Sequence, residues 1–140
     1  MTTELSIQEV AALTQLSAHT LRYYERIGLL DPVSRTSSGH RRYASKDIAW
    51  IEFITRLRAT GMPIKDMQRF AHLQRQGDGT FAERRQLLEA HQHHIAQQLE
   101  TLEQNSKVLT EKILHYKELE NKKELENKKE LENKHDSDTP

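Results

Sequence analysis

The 140-residue chain balances 21 lysines and arginines against 21 aspartates and glutamates, is 35% hydrophobic and 30% charged, and contains no cysteine. That length is one domain or a small domain with an arm, and the surplus of charge over apolar residues fits a long solvated helix. Disulfides, thiolate zinc sites and thiol redox switches are excluded, and no apolar run approaches the roughly 18 residues of a membrane span and no leader opens the chain, so a soluble, cytoplasmic protein is expected.

The first helix starts at Ser6, where Ser6-Ile7-Gln8-Glu9 spells a capping box. Ile7, Val10, Ala11 and Thr14 follow at helical spacing. Gln15 and Leu16 make a turn, and Ser17 caps a second helix. Leu21, Tyr24 and Gly28 share its inner face, with Gly28 as a left-handed stop. His19, Arg22, Tyr23 and Arg26 share the opposite face, and all four form hydrogen bonds. Asp31-Pro32 breaks the helical pattern. Val33 to Arg35 and His40 to Tyr43 then read as two short strands around Thr36-Ser37-Ser38-Gly39, a β-hairpin wing. Ser45 caps a third helix holding Ile48, Trp50, Ile51, Ile54 and Leu57, which Gly61 ends. Pro63 opens a fourth, with Ile64, Met67, Phe70, Ala71 and Leu73.

After a short linker, Thr80-Phe81-Ala82-Glu83 reads as a second capping box opening a long helix. Positions 88, 92, 95, 99, 102, 106, 109, 113 and 116 step by four and three and hold Leu88, Gln92, Ile95, Leu99, Leu102, Ser106, Leu109, Ile113 and Tyr116. This heptad seam, roughly 43 Å long at 1.5 Å per residue, needs a partner helix in water. Residues 118–134 repeat Glu-Leu-Glu-Asn-Lys-Lys with period six. Six residues turn a helix through about 600°, so Leu119, Leu125 and Leu131 point three ways and cannot extend the seam. The repeat is expected to be a solvated helix that frays, with disorder after Lys134. The expected organisation is a compact head at 1–76, a linker at 77–80, a dimerisation helix at 81–120 and a charged tail at 121–140. The fold class is mainly α.

Zero net charge hides an asymmetry. Residues 1–80 hold eleven basic and eight acidic side chains, a net of +3, and residues 81–140 hold ten against thirteen, a net of −3. Between residues 17 and 46, Arg22, Arg26, Arg35, Arg41, Arg42 and Lys46 face only Glu25 and Asp31, a local +4. Arginines interleaved with tyrosines beside a helix-turn-helix pattern make a surface suited to double-stranded DNA. The candidate contacts are His19, Thr20, Arg22, Tyr23 and Arg26 on the helix and Arg35, Gly39, His40, Arg41, Arg42 and Tyr43 on the wing. Lys65, near a helix N-terminus, is a candidate phosphate anchor. Arg41 or Arg42 could instead tie the hairpin to the body. Tyr24 lies on the core side, with its hydroxyl within possible reach of a phosphate.

Thr20-Leu21-Arg22-Tyr23-Tyr24-Glu25-Arg26-Ile27-Gly28-Leu29-Leu30, following Glu9–Ala12 and followed by Gly39-His40-Arg41-Arg42-Tyr43, closely resembles the MerR family of transcription regulators. The resemblance covers residues 5 to about 120. It implies a homodimer whose subunits each join a winged helix-turn-helix head to a long helix paired antiparallel with its mate, through Leu88, Ile95, Leu99, Leu102, Leu109, Ile113 and Tyr116 here. It also implies an inverted-repeat operator in a promoter with an overlong spacer, which the dimer bends and untwists, acting on RNA polymerase indirectly. Trp50-Ile51-Glu52-Phe53-Ile54 and Gly61-Met62-Pro63-Ile64 resemble the small aldehyde- and electrophile-responsive (AdhR/NmlR-type) members. Those members usually carry one reactive cysteine just past the first block. Arg56 stands there in this chain, so that chemistry does not carry over.

His91, His93 and His94 raise a metal hypothesis, because His91 and His94 share a helix face and His72 or His115 could add a ligand. The plainer reading is a polar, solvated stretch of helix, and no metal or other cofactor is expected. No cysteine nucleophile, Gly-rich phosphate loop or HExxH occurs, so no enzyme is expected. Two other readings remain: an effector-independent architectural or excisionase-like DNA binder, and a coiled-coil adaptor whose head binds protein.

Overall fold

The computed structural model describes residues 4–137. Its order is α1 (Ile7–Thr14), α2 (Ala18–Arg26), β1 (Ser34–Arg35), β2 (Arg41–Arg42), α3 (Ser45–Ala59), α4 (Ile64–Arg75), a 3-10 turn (Asp78–Thr80) and α5 (Phe81–Ser137). The chain divides into a compact unit ending at His93 and a second unit from His94 onward.

In the first unit each early boundary follows from a local cap. The Ser6 hydroxyl accepts from the Glu9 amide while Glu9 reaches back to the Ser6 amide, so α1 opens on the expected capping box. Gln15, left-handed at φ 60, closes α1. Ser17 then caps α2 by accepting from the Thr20 amide. Gly28, at φ 83, turns the chain out of α2, a backbone state that costs a residue with a Cβ about 1–2 kcal/mol.

The two strands pair antiparallel, Ser34 with Arg42 and Arg35 with Arg41. Each is two residues long, shorter than expected, because the pairing passes from Ser34 to Leu5. Leu5 exchanges backbone hydrogen bonds with Tyr43 at 2.9 and 2.8 Å. The N-terminal segment thus becomes a third, single-residue strand at the root of the wing.

Val10, Leu21, Leu29, Tyr43, Ile51, Ile54 and Met67 are fully buried and form one core between α1, α2, the wing root, α3 and α4. Each fully buried large apolar side chain contributes about 1.5–3 kcal/mol. Trp50 stacks on Phe70 at 5.8 Å between ring centres, and Phe53 packs against both.

Several boundaries correct the sequence expectation. Ser45 is the first residue of α3, not its cap. Asp47 accepts from the Ala44 amide at 2.8 Å and closes the helix start from inside. Pro63 sits at the cap position of α4, immediately before its first turn. Thr80 does not form the expected capping box. Its hydroxyl is buried, donates to the Leu73 carbonyl at 2.6 Å and lies 2.8 Å from the Gly77 carbonyl, while Arg84 Nε donates back to it. Residues 77–80 are therefore a fastened turn and not a loose linker, and the compact unit runs past residue 76 to His93.

His91 is also not solvated. It is 9% exposed, with Nε2 2.7 Å from Thr60 Oγ1 at the end of α3. The Thr60 hydroxyl also lies 2.9 and 3.1 Å from the Arg56 and Leu57 carbonyls, and the direction of its bond to His91 follows the ring's tautomer.

In the second unit, α5 continues as helix through Ser137, so residues 121–137 are helical, including the three after Lys134 where disorder was expected. Glutamate and lysine are strong helix formers, and the repeat sets them at favourable three- and four-residue spacings. The expectation of disorder at 138–140 falls outside the described residues. No helix among those residues is long and apolar enough to cross a membrane.

Candidate nucleic-acid interface

The candidate surface is built on α2. Its inner residues Leu21 and Tyr24 are buried, which turns His19, Arg22, Tyr23 and Arg26 outward, all of them exposed. The Arg26 guanidinium carbon lies 5.6 Å from the centre of the Tyr23 ring, a cation–π contact that holds both side chains along the surface. Thr20 is half-buried, and its hydroxyl receives the Ser17 hydroxyl proton at 2.9 Å, so it belongs first to the cap. Tyr24 is 7% exposed and is a core residue.

The C-terminal end of α2 is held from behind. Gln68 donates to the Ile27 carbonyl at 2.9 Å, Trp50 Nε1 to the Leu29 carbonyl at 2.7 Å, and Arg75 to the Gly28 carbonyl and the Asp31 carboxylate. Three side chains from α3 and α4 thus satisfy carbonyls that α2 and its exit leave open. Sequence reading missed them because their partners lie 21 or more residues away and no local pattern announces them.

The wing is a tight hairpin. The Thr36 amide donates to the His40 carbonyl at 2.8 Å, the Gly39 amide to the Thr36 carbonyl at 2.9 Å, and Arg35 closes the tip by donating to the Gly39 carbonyl at 3.0 Å. Gly39 sits at φ 88. Arg35 and His40 are exposed and Arg42 is half-buried.

Arg41 is spent differently. Its Nε donates to Glu25 Oε2 at 2.8 Å, and the two side chains are only 19% and 15% exposed. Of the two arginines that could tie the hairpin to the body, Arg41 does so. Glu25 went unrecognised in the sequence, although an acid inside a basic face was a signal.

Tyr43, expected on the wing surface, is instead fully buried, because the bridge to Leu5 turns its ring into the core. Burial pushes its phenol above the ordinary value of 10.0, against the pull of Arg41 and Arg22 and with the push of Glu25 and Asp47. Its hydroxyl has no hydrogen-bond partner among the described residues.

Helix and wing converge. Arg22 from α2 and His40, Arg41 and Arg42 from the wing, together with Ser6 and Gln8 from the start of α1, line one open cleft of about 400 Å³. Lys65, exposed in the first turn of α4, lies outside it. Of the three clustered histidines, His93 and His94 are exposed while His91 is committed to Thr60.

In the second unit, the expected seam is bare in a single chain. Leu99, Leu102, Leu109, Ile113 and Tyr116 are 55–64% exposed. Val108 and Leu114, exposed to 63% and 53%, flank the seam and widen the apolar stripe. Ile95 is half-buried. In the first unit, Leu88 packs against the head core.

The chain is similar to known proteins along most of its length. It is 38% identical over 101 residues to an uncharacterised HTH-type transcriptional regulator of Haemophilus influenzae, covering 72% of this chain and 75% of that one. It is 44% identical over 84 residues to the HTH-type transcriptional regulator AdhR of Bacillus subtilis, covering 60% of each. Among solved structures it matches HiNmlR, a MerR family regulator lacking the sensor domain and bound to promoter DNA, at 35% identity and a TM-score of 0.75, covering 84% of this chain and 92% of that one. The family model for MerR HTH regulatory proteins matches residues 5–74, and the MerR DNA-binding model matches residues 48–112. The chain belongs to the MerR family of helix-turn-helix regulatory proteins.

Proposed function

We propose that the chain acts as a homodimeric, sequence-specific regulator of transcription, working in the cytoplasm on an inverted-repeat promoter operator. In this reading α2 enters the major groove, with Arg22, Tyr23, Arg26 and His19 toward the bases and backbone. The wing lies along the flanking backbone, with Arg35, Gly39 and His40 outermost and the half-buried Arg42 behind them. Lys65 adds a phosphate contact at the start of α4. The observation that carries the reading is the convergence of Arg22 with the wing cations on one face, and the likeness to a regulator solved on promoter DNA supports it.

The two heads of a dimer take the two half-sites and distort the spacer between them. Part of the specificity then comes from how easily that spacer deforms. RNA polymerase feels the dimer through the altered promoter. With no cysteine in the chain, any effector would have to act without thiol chemistry on this protein.

The test is a gel shift with excess random duplex as competitor, on a duplex selected from a random pool by the wild-type protein. Arg22→Ala is expected to lose the selected duplex while remaining a dimer, since a bidentate guanine contact carries about 1–3 kcal/mol of discrimination. Full affinity in that variant defeats the contact assignment, and failure of the wild type to select any sequence defeats the reading.

A further inference from the structure

Glu25 stands one residue before Arg26 and three after Arg22, on a helix whose outer face is otherwise neutral or basic. A carboxylate there repels phosphates, so its presence needs a reason. A glutamate can accept from the cytosine amino group in a major groove. This one is badly placed for that, with a side chain only 15% exposed and an oxygen held 2.8 Å from Arg41 Nε.

Arg41 is the first residue of β2, one position from the turn-closing His40. The ion pair therefore runs from the last turn of α2 to the strand of the wing just below its turn. At the base of the wing, the backbone bonds between Leu5 and Tyr43 and the buried Tyr43 ring fix the strand from the side of α1 and the core. The pair is thus the side-chain strut by which α2 itself sets the wing.

We infer that Glu25 is a positioning residue, which with Arg41 fixes the wing against the recognition helix so that both reach one duplex in register. The inference rests on the DNA-binding reading above. It reassigns Arg41 from phosphate contact to bracing the wing, and it makes the negative charge of Glu25 useful in spite of the DNA. A side chain held by its partner before binding costs no ordering entropy when the duplex arrives.

Two accounts of Glu25 predict opposite signs. If it is only an unfavourable surface charge, Glu25→Ala tightens binding. If it positions the wing, Glu25→Ala loosens binding although the protein becomes more positive. The experiment measures affinity for the duplex selected by the wild type, together with hydroxyl-radical footprints. Glu25→Ala is expected to lose about tenfold in affinity, the scale of a broken, mostly desolvated charge pair discounted for its residual exposure. Protection of the flanks under the wing is expected to fade while protection of the groove under α2 remains.

Glu25→Gln keeps an oxygen to accept from Arg41 and is expected to stay within about threefold of wild type. Arg41→Ala is expected to match Glu25→Ala, and the double variant to lose no more than either single one. Thermal melts with circular dichroism show that each variant is folded. Binding by folded Glu25→Ala as tight as wild type, with flanks still protected, overturns the inference, as do additive losses in the double variant. A wild type that selects no duplex removes the DNA-binding reading and this inference with it, a result distinct from any pattern among the variants.

Discussion

The Tyr43 hydroxyl is buried without a hydrogen-bond partner among the described residues. An unmet buried hydroxyl costs about 1–3 kcal/mol. Tyr43→Phe removes the oxygen and keeps the ring in the core, so the variant is expected to be at least as stable as wild type, gaining about 1 kcal/mol in urea denaturation. The phenol also makes stability depend on pH. Its folded value lies above 10.0, chiefly because burial disfavours the phenolate. The unfolded chain therefore releases this proton first as pH rises, and linkage makes the folded state lose stability there. The contribution is complete below the unfolded value and disappears as pH climbs through the folded one. Melting temperatures of wild type and Tyr43→Phe, followed from about pH 8 to about pH 11, are expected to diverge above about pH 10, with wild type falling faster. Parallel curves would contradict the placement of this hydroxyl. The sequence could not reveal this role, because Tyr43 follows two arginines and reads as one more surface residue until the bridge to Leu5 is seen.

At the scale of elements, the head borrows the first turns of α5. Thr80 reaches the Leu73 carbonyl, Arg84 the Gly77 carbonyl, Leu88 the head core and His91 the Thr60 hydroxyl. A chain cut after Gln76 leaves the Leu73 carbonyl and the apolar surface under Leu88 uncovered. Residues 1–93 are expected to unfold cooperatively on their own, and residues 1–76 to be less stable by about 3 kcal/mol, from one buried hydroxyl contact and one half-buried leucine. Urea denaturation of the two fragments decides it, and equal midpoints would show that the fastening contributes nothing. Caps and periodicity made the helices legible: Ser6 with Glu9, Ser17, Gly28 and Gly61 all stand where the chain turns. Ser45 and Thr80 misled because a hydroxyl before a helical pattern is only a candidate cap. A competing partner decided each case, Asp47 closing α3 from within its own first turn and the Leu73 carbonyl, seven residues back, taking the Thr80 proton. The exposed face of α2 was readable for the same reason the helices were. Exposed Arg22, Tyr23 and Arg26 follow from the burial of Leu21 and Tyr24, which helical spacing alone implies. The Glu25–Arg41 strut was not, since its partners lie 16 residues apart and only the fold brings them within 2.8 Å.

At the scale of the whole molecule, the bare stripe of the second unit is the surface on which the proposed dimer rests. Leu99, Leu102, Leu109, Ile113 and Tyr116 are each more than half exposed in a single chain. Two such stripes face to face bury ten of these side chains, each worth about 1.5–3 kcal/mol when fully covered. Because each is only 55–64% exposed beforehand, the pairing gains about 9–18 kcal/mol in all, which offsets the about 4–15 kcal/mol lost in freedom on association. Replacing Leu102 and Leu109 with glutamate puts four charges into the paired seam, two from each chain. The expected result is a folded monomer in analytical ultracentrifugation at micromolar concentration. Leu119, Leu125 and Leu131 point away from one another, so a chain ending at Lys117 is expected to stay dimeric. The two variants also separate dimerisation from contact chemistry. If two joined heads neutralise some six to ten phosphates, wild-type affinity is expected to fall about 10³–10⁵-fold between 50 and 200 mM salt, and the Leu102/Leu109 variant to show about half that logarithmic slope because one head grips about half the phosphates. A monomeric variant with the full slope would mean that the seam is not what joins the two DNA-gripping surfaces. A wild type with a flat slope would mean that the cations around Arg22 and the wing do not face a phosphate backbone at all.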